Sequence, residues 1–327
     1  MILVGDIGGT HARFALIEAG RVEPLRVATL ESKAFASLEA AARAFLGESP
    51  PPVHTATLGV AGPVVDNRCT ATNLPWIIDG DTLGHALGIE RVTLLNDLVA
   101  LSFGALHAPR EKIRVLQGEE PPRRDGATIA VLAAGTGLGE AALVWSGERH
   151  VALATEGGHT DFAPRDELEV ELLFFLRARV GGRVSYERIL SGRGLGNVYD
   201  FFRDAKALGE SPVISDSIRS AADRNAEIAK RGIAGESEAC TRAVDLFVSL
   251  YGAEAGNLAL KTLATGGVFV AGGIAGAILA QLERGPFLRS FRDKGRFSSM
   301  MEKIPVAVVL DSSIGLAGSA YHALHLS

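Results

Sequence analysis

Two short turns rich in glycine and threonine, each set between apolar segments, constrain the fold of this chain more than any other feature of its sequence. The first is Asp6-Ile7-Gly8-Gly9-Thr10 and the second is Gly135-Thr136-Gly137-Leu138-Gly139. Glycine lets the backbone come close to a polyphosphate and present its N–H groups as donors, and a threonine hydroxyl adds another donor. Two turns of this kind in one chain indicate a nucleotide held by two related domains.

The surroundings of the first turn exclude two commoner nucleotide-binding motifs. A dinucleotide-binding Gly-x-Gly-x-x-Gly loop lies between a strand and a helix, whereas the apolar segments 2–4 and 12–17 are typical of the two strands of a hairpin. The chain contains no Gly-x-x-x-x-Gly-Lys-Ser/Thr sequence, which excludes a Walker P-loop. Either turn alone could equally be an ordinary tight hairpin turn. The occurrence of both favours phosphate binding.

The composition narrows the class of protein and its partners. Of the 327 residues 47% are hydrophobic and 22% are charged, which suffices for two globular domains with buried cores. The net charge of −5 argues against nucleic acid or an anionic membrane as a partner. Cys69 and Cys240 form no metal or disulfide framework, which fits a reducing compartment. Because charged residues interrupt the longest apolar stretch, 241–265, and the N-terminus has no signal-peptide pattern, a cytoplasmic protein without a membrane span is predicted.

The predicted elements repeat in two halves. Each half begins with strand hairpins and continues with helices, which is the pattern of an internal duplication. The stretch 109–125, with its prolines and mixed charges, contains the connection between the halves. In the first half Asn96 and Asp97 follow a buried strand at 92–95. In the second half single helices are predicted over 215–230 and 236–263, the latter as core or interface.

Five motifs occur in the order found in sugar kinases of the hexokinase and actin-like ATPase superfamily. The chain therefore resembles these sugar kinases. They are Asp6-x-Gly-Gly-Thr10-x-x-Arg13, Leu95-Asn96-Asp97, Gly135-Thr136-Gly137-Leu138-Gly139, Thr155-Glu156-Gly157-Gly158-His159 and Ala271-Gly272-Gly273-Ile274. More closely, the segments 156–164 and 187–192 are similar to those of bacterial glucokinases of the proteobacterial type. The resemblance extends over essentially the whole chain.

This resemblance implies an architecture for the chain. It is an α/β fold of two duplicated actin-like ATPase (ribonuclease H-like) domains with a cleft between them. Residues 1–108 and 312–327 would form the small α/β domain, and residues 109–311 the large α/β domain. The resemblance also implies a homodimer, which the residues themselves do not specify.

The resemblance further implies an activity, that of an ATP-dependent glucokinase at the entry step of glycolysis. Such an enzyme transfers the γ-phosphate of ATP to the 6-hydroxyl of glucose and produces glucose 6-phosphate and ADP. Asp97 would bind glucose and act as the general base. The other glucose-binding residues would be Asn96, Glu156, His159 and Glu187.

The same resemblance implies the nucleotide and metal ligands. Asp6 would bind Mg²⁺ through water. The phosphates of ATP would be held from one side by Gly8, Gly9 and Thr10 and from the other by Gly135, Thr136 and Gly137. Gly272 and Gly273 would border the adenosine.

Each of these residues also has a structural interpretation that its spacing leaves open. Asn96 and Asp97 could cap the helix predicted at 98–106, since both residue types are leading N-caps. His159 could satisfy a backbone carbonyl in a loop, and isolated glutamates such as Glu156 and Glu187 are most often solvated surface charges. Gly272 and Gly273 could relieve crowding between a helix and a strand. The joint occurrence of these residues in family order favours the functional interpretation.

Other functions are weighed against this one. A kinase for a related hexose or hexosamine would need few changes at the site, and a non-catalytic sugar sensor or an actin-like ATPase would use the cleft as a switch. A sensor is expected to have lost its base, whereas Asp97 is present, and an ATPase does not need the sugar-binding polar residues. No cysteine follows Gly158-His159 before Cys240, so the structural zinc of the ROK sugar kinases is not expected.

Overall fold

The fold is given by a computed structural model that describes residues 1–21, 23–71, 74–123 and 125–326. Ser327, at which the predicted small domain ends, lies outside the described residues. The chain divides into two compact units. The first comprises Met1–Arg110, Val151–Ala154 and Asp311–Ser327, and the second comprises Glu111–His150 and Thr155–Leu310. The domain boundaries inferred from the resemblance stay a prediction.

The strands and helices are numbered in chain order. The strands are β1 (Ile2–Ile7), β2 (His11–Ile17), β3 (Pro24–Glu31), β4 (Thr55–Val60), β5 (Val64–Val65), β6 (Arg68–Thr70), β7 (Ile77–Asp79), β8 (Arg91–Asn96), β9 (Ile113–Gln117), β10 (Ile129–Ala134), β11 (Leu138–Trp145), β12 (His150–Thr155), β13 (Gly267–Ala271) and β14 (Val306–Val309). The helices are α1 (Leu38–Leu46), α2 (Gly80–Leu87), α3 (Asp97–His107), α4 (Glu167–Val180), α5 (Gly192–Asp200), α6 (Pro212–Ser220), α7 (Arg224–Ala234), α8 (Glu238–Thr262), α9 (Gly273–Ala277), α10 (Leu279–Glu283), α11 (Pro286–Arg292), α12 (Ser298–Met301) and α13 (Ile314–His325).

The first sheet confirms the predicted hairpin around Gly8 and aligns three parallel strands. Its order is β3-β2-β1-β4-β8, with β1 antiparallel to β2 and parallel to β4, which is parallel to β8. Phe14 of β2 stacks on Phe45 of α1 at a centroid distance of 5.4 Å. Helix α13 adds Leu316 and Ala320 to a cluster with Val4. Because β1, β4 and β8 run in the same direction, their carboxyl ends share one edge of the sheet.

The second large sheet repeats this arrangement. Its order is β12-β11-β10-β13-β14-β9, with β10 antiparallel to β11 and with β10, β13 and β14 parallel. Ala133 is the register partner of Ala271, so the turn after β10 and the glycine pair after β13 lie at the same edge. The fold class predicted from the sequence is confirmed: the protein is α/β with the two mixed sheets of the actin-like ATPase fold.

Two helix predictions in the second unit have different outcomes. The helix predicted at 236–263 is α8, and its residues from Ala239 to Ala259 are largely buried, so it forms core. The single helix predicted over 215–230 is wrong, because α6 ends at Ser220 and α7 begins at Arg224. Asp223 accepts hydrogen bonds from the N–H groups of Asn225 and Ala226. An aspartate in this position favours a new helix start over a continuous helix.

A third, small sheet of order β5-β6-β7 confirms the predicted hairpin around Asp66 and Asn67. Both residues have positive φ, 48° and 58°, as a two-residue hairpin turn requires. The Asn67 side chain donates to the Val92 carbonyl and accepts from the Leu94 N–H. It thereby satisfies backbone groups of the edge strand β8. No helix in the described part of the chain is long and apolar enough to span a membrane.

Candidate active site

The carboxyl ends of β1 and β8 bring predicted metal, phosphate and catalytic residues to one edge of the first sheet. Ile7 pairs in register with Val60, and Val60 pairs with Asn96. Gly8 and Asp97 are the next residues along β1 and β8. Since neighbouring strands are about 4.8 Å apart, the turn after β1 and the start of α3 lie roughly two strand spacings apart. The first unit therefore supplies an acid beside a glycine turn.

Asn96 is the N-cap of α3, as its structural interpretation predicts. Its Oδ1 accepts from the N–H groups of Leu98 at 3.0 Å and Val99 at 3.3 Å, and its Nδ2 donates to the Gly62 carbonyl at 3.1 Å. These bonds hold the buried amide group in place and occupy its acceptor oxygen, Oδ1. One amide N–H remains outside this set of bonds, so any contact of Asn96 with a sugar would be made as a donor.

Asp97 is the first residue of α3 and is half-buried. Its Oδ1 accepts from the Leu98 N–H at 2.9 Å. The first turn of a helix carries partial positive charge, which favours the ionised form of a carboxyl placed there. An ionised, oriented carboxylate is the form that a general base needs.

The Asp6 carboxyl is poorly solvated and lies beside one cation, Arg13. Its Oδ2 is 3.3 Å from Nη1 of Arg13, the residue opposite it on β2. A Cβ on Gly315 of α13 would stand only 3.0 Å from the Asp6 carboxyl carbon. Burial raises the pKa of Asp6, and the Arg13 charge offsets part of that rise. A carboxylate whose charge is poorly solvated gains from a further cation.

The turn after β1 is braced by a residue that sequence analysis missed. Ser32 is fully buried; its hydroxyl donates to the Gly8 carbonyl at 2.7 Å, and its N–H donates to the Thr10 carbonyl. A Cβ on Gly8 would meet one atom, the His11 carbonyl oxygen, at an ordinary 3.4 Å. No sequence motif surrounds Ser32, so only the tertiary structure reveals its role.

The turn after β10 and the second glycine of the pair after β13 line a cavity of about 460 Å³ in the second unit. This volume lies within the usual range for a small-molecule site. Gly135, Thr136 and Gly273 are at its wall. Gly192 and Ile274, which belong to the motifs 187–192 and 271–274, also line the cavity. Sequence analysis missed the rest of the lining, which belongs to no motif: Arg193, Leu195, Asp223, Asn225, Ala226, Ala229, Val244, Phe247, Ala277 and Ile278. Its mixture of apolar walls and a few polar groups suits a nucleoside.

The glycines around this cavity fall into two kinds. A Cβ on Gly135 or Gly273 would meet no atom within 4 Å, and neither residue has positive φ. The fold therefore does not require glycine at these two positions. Close approach of a ligand to the backbone would require it. Gly272 has a φ of +87°, and a Cβ on it would stand 2.3 Å from the Ala134 carbonyl oxygen. Relief of crowding, the structural interpretation, is therefore correct for Gly272.

Glu187 is held by the same glycine turn. Its Oε2 accepts from the Leu138 N–H at 3.1 Å, and a Cβ on Gly137 would stand 2.5 Å from that oxygen. The glutamate is half-buried. The interpretation of Glu187 as a solvated surface charge is wrong, because its carboxylate is bound and directed by the backbone.

The segment Glu156–His159 lies on the start of β11. It forms a short 3₁₀ turn in which a Cβ on Gly158 would stand 2.0 Å from the Leu138 carbonyl oxygen. The side chains of Glu156 and His159 are 56% and 46% exposed, with Oε2 and Nε2 3.9 Å apart. The two glycines thus bring the backbone against the strand while the two polar side chains stay accessible.

Within the second unit the structure brings together Glu156, His159, Glu187 and the turn Gly135–Gly137, all around Leu138. Within the first unit it brings together Asp6, Gly8–Thr10, Asn96 and Asp97. Among the residues that the structure describes, no group of three or more His, Cys, Asp or Glu side chains could hold a metal ion. Mg²⁺ is commonly bound by one or two carboxylates together with water and substrate phosphates, so Asp6 fits a site completed by a nucleotide.

A family model and full-length relatives show the family of this chain. The family model described as Glucokinase matches residues 3–326. A glucokinase from Synechocystis is 40% identical, over 97% of this chain and 96% of the relative. Among solved structures, glucokinase from an Antarctic psychrotroph is 31% identical with a TM-score of 0.81 and covers 100% of this chain and 99% of its own. Glucokinase from Balamuthia mandrillaris in complex with glucose has the same TM-score at 23% identity, covering 98% and 92% of the two chains, and supports the fold.

Proposed function

Because this chain belongs to the glucokinase family and phosphorylates glucose with ATP, we propose roles for its individual residues in that reaction. In the proposed step the O6–Pγ bond forms, the bond from Pγ to the ADP oxygen breaks, and the proton of the 6-hydroxyl passes to Asp97. The observation that carries the proposal is the position of Leu138. Its N–H binds the predicted sugar ligand Glu187, and it directly follows the turn that lines the nucleotide cavity.

Asp97 is the general base. Phosphoryl transfer needs positioning and charge neutralisation more than covalent help from the protein, and a carboxylate in reach of the hydroxyl is a sufficient base. The hydrogen bond from the Leu98 N–H orients the Asp97 carboxylate at the start of α3. This support is independent of the family resemblance.

Glu156, His159, Glu187 and the Asn96 amide bind the other hydroxyls of glucose. Each sugar hydroxyl is both donor and acceptor, and the two carboxylates, the imidazole and the amide N–H match that pattern. A site built to pair with particular hydroxyls rejects a sugar that leaves its polar groups unmatched. Specificity for glucose therefore depends on the segment Glu156–His159 and on Glu187 in the second unit, and on the Asn96 amide in the first.

A substrate comparison tests this function. We expect kcat/KM for glucose to exceed that for mannose, glucosamine, N-acetylglucosamine and fructose by about a hundredfold or more, since about 2.7 kcal/mol of transition-state discrimination is within reach of such a site. The measurement is a coupled assay of ATP-dependent phosphorylation. Comparable values for several hexoses would contradict the assignment of glucose-specific contacts.

ATP occupies the cavity of the second unit, with its adenosine beside Gly272–Gly273 and its phosphates along Gly135–Gly137. The turn Gly8–Thr10 of the first unit contributes further phosphate contacts. Support comes from Gly135 and Gly273, which the fold itself does not require to be glycine. Filling the cavity with Ala277→Trp should raise the KM for ATP and leave glucose affinity unchanged; an unchanged KM for ATP would contradict this placement.

Mg²⁺ is held by Asp6, through water, together with the ATP phosphates. When bound, the ion would neutralise charge on the phosphates. The Asp6 carboxylate suits this role because burial opposes its charge and the neighbouring guanidinium of Arg13 offsets that effect only in part. Arg13 also keeps the carboxylate in place by the 3.3 Å contact.

Replacing Asp6 with asparagine should increase the Mg²⁺ concentration needed for half-maximal activity. Because the pKa of Asp6 is raised, protons compete with Mg²⁺ for this carboxylate in the wild type. The wild-type enzyme should therefore need more Mg²⁺ as the pH is lowered. That trend should disappear in Asp6→Asn. Mg²⁺ titrations of activity at several pH values measure both effects. Identical titrations for the two proteins would remove Asp6 from the metal site.

We also propose that the protein forms a homodimer in the cytoplasm, with a small domain of residues 1–108 and 312–327 and a large domain of residues 109–311. The family resemblance supports all three statements. Sedimentation that finds monomers alone would contradict the dimer. Cell fractionation tests the compartment, and limited proteolysis tests the boundaries.

A further inference from the structure

Two carboxyl groups are buried side by side beneath the Glu156–His159 segment. Glu140 of β11 is 1% exposed and Glu254 of α8 is fully buried. Oε1 of Glu140 has no hydrogen-bond partner among the described residues. Burial and, secondarily, the Glu254 charge raise the pKa of Glu140 to about 8. The raised pKa favours the protonated form of Glu140 at neutral pH, in which the proton can be shared with Glu254.

The surroundings accommodate one negative charge in this pair. Oε1 of Glu254 lies 3.2 Å from Lys261 Nζ, and Oε2 accepts from Asn257 Nδ2 at 2.8 Å. Lys294 Nζ donates to Asn257 Oδ1 at 2.8 Å and to the Ala253 carbonyl.

Further charged groups surround these lysines. Arg165, Lys261, Glu254 and Asp293 act on Lys294, whose pKa burial lowers, and Glu169 acts on Tyr186 beside the pair. Among the described residues Lys261 makes the one close ion pair with Glu254, and its charge lowers the pKa of Glu140 by less than burial and the Glu254 charge raise it, so a second carboxylate at Glu140 would lack a cation of its own.

The pair touches both segments that carry predicted glucose ligands. Oε2 of Glu140 would be 2.1 Å from a Cβ on Gly157, so the carboxyl packs directly against that backbone. The Glu140 carbonyl accepts from the Thr155 hydroxyl, which in turn accepts from the Gly157 N–H at 3.1 Å. On the other side, Asn257 Nδ2 donates to the Tyr186 hydroxyl at 3.2 Å. Tyr186 precedes Glu187 in the chain.

We propose that Glu140 is a positioning residue for glucose: its protonated carboxyl, paired with Glu254, lets the Glu156–His159 segment pack on β11 and so sets the affinity for the sugar. Ionisation would place a second negative charge beside Glu254, and hydrating that charge requires the Gly157 backbone to move off the strand. The inference rests on the proposed glucose-binding roles of Glu156 and His159.

The test compares glucose and ATP kinetics of the wild type and Glu140→Gln between pH 6.5 and pH 9.5. In the wild type the KM for glucose should rise about tenfold from pH 7 to pH 9, as a single proton with a pKa near 8 requires, while the KM for ATP changes little. Glutamine mimics the protonated carboxyl, so Glu140→Gln should keep the wild-type KM for glucose at pH 7 and lose the rise. Glu283→Gln, which removes an ion pair with Arg114 at the surface, is the matched control and should keep the wild-type profile.

Three results are decisive. A wild-type rise in KM that persists in Glu140→Gln would overturn the role of Glu140. Should that variant not fold, infrared spectroscopy of the wild type provides the test: a protonated carboxyl band at pH 7 that disappears in parallel with the rise in KM supports the proposal, and its absence at pH 7 overturns it. Unchanged glucose affinity of Glu156→Gln in calorimetry at pH 7 would instead contradict the proposed function of the segment itself.

Discussion

Replacing Asp97 with asparagine should lower kcat by roughly 10²–10⁴-fold, the usual contribution of a general base, and leave the dissociation constant for glucose within a few fold of the wild type. Asparagine keeps an oxygen that can accept from the Leu98 N–H at the start of α3, so the helix start is preserved. What it lacks is the capacity to accept the proton of the attacking hydroxyl. Steady-state kinetics together with calorimetric titration of glucose separate the two effects.

The matched control for this variant is Asp81→Asn. Asp81 is likewise an acid in the first turn of a helix of the first unit, α2, but it is not among the predicted site residues. We expect it to change kcat by less than twofold. A near-normal kcat for Asp97→Asn would remove Asp97 from the role of base, and equal losses in both variants would assign the effect to loss of a negative charge in the first turn of a helix.

Replacing Gly158 with alanine should raise the KM for glucose substantially with little change in the KM for ATP. A Cβ there would stand 2.0 Å from the Leu138 carbonyl oxygen, a backbone atom that cannot move alone. Such overpacking costs about 1–3 kcal/mol, which corresponds to roughly five- to 150-fold in affinity if it displaces the Glu156–His159 segment. Kinetics in both substrates measure the effect, and thermal unfolding measures the accompanying loss of stability.

Gly209→Ala is the control for this second variant. A Cβ on Gly209 would meet no atom within 4 Å, and its φ is not positive, so neither affinity nor stability should change appreciably. If Gly158→Ala bound glucose with wild-type affinity, the packing of the segment on β11 would not position Glu156 and His159. Equal changes in the two KM values would indicate general damage to the unit.

Local signals in the sequence sufficed for much of the fold. The hairpins around Gly8 and Asp66, the strand before Asn96 and the long apolar helix α8 all follow from alternation, turn residues and helix periodicity, which act between near neighbours in the chain. The same approach failed at 215–230, where α6 ends at Ser220 and Asp223 caps the start of a separate helix, α7.

The family motifs indicated candidate residues, and the structure explained why several are held where they are. Asn96 caps α3, Glu187 is bound by the Leu138 N–H, and Gly272 is required by the approach of Ala134. The Asn96 cap follows from its position before α3, but the contacts of Glu187 and Gly272 could not be derived from spacing, because each joins the motif to a backbone group from a remote part of the chain. The roles of these residues in the reaction remain predictions that the variants above test.

By itself, the sequence determined the positions of the two glycine turns, the strands that flank them, the acid near the end of β1 and the acid at the start of α3, because those features depend on residues a few positions apart. Tertiary structure decided which distant side chains support them. Ser32 braces the first turn, α7 and α8 line the cavity beside the second, and Glu140 meets Glu254 beneath the Glu156–His159 segment. Such groups carry no local pattern, and their hydrogen bonds, pKa shifts and close contacts exist only when folding removes water from between elements that are remote in the chain.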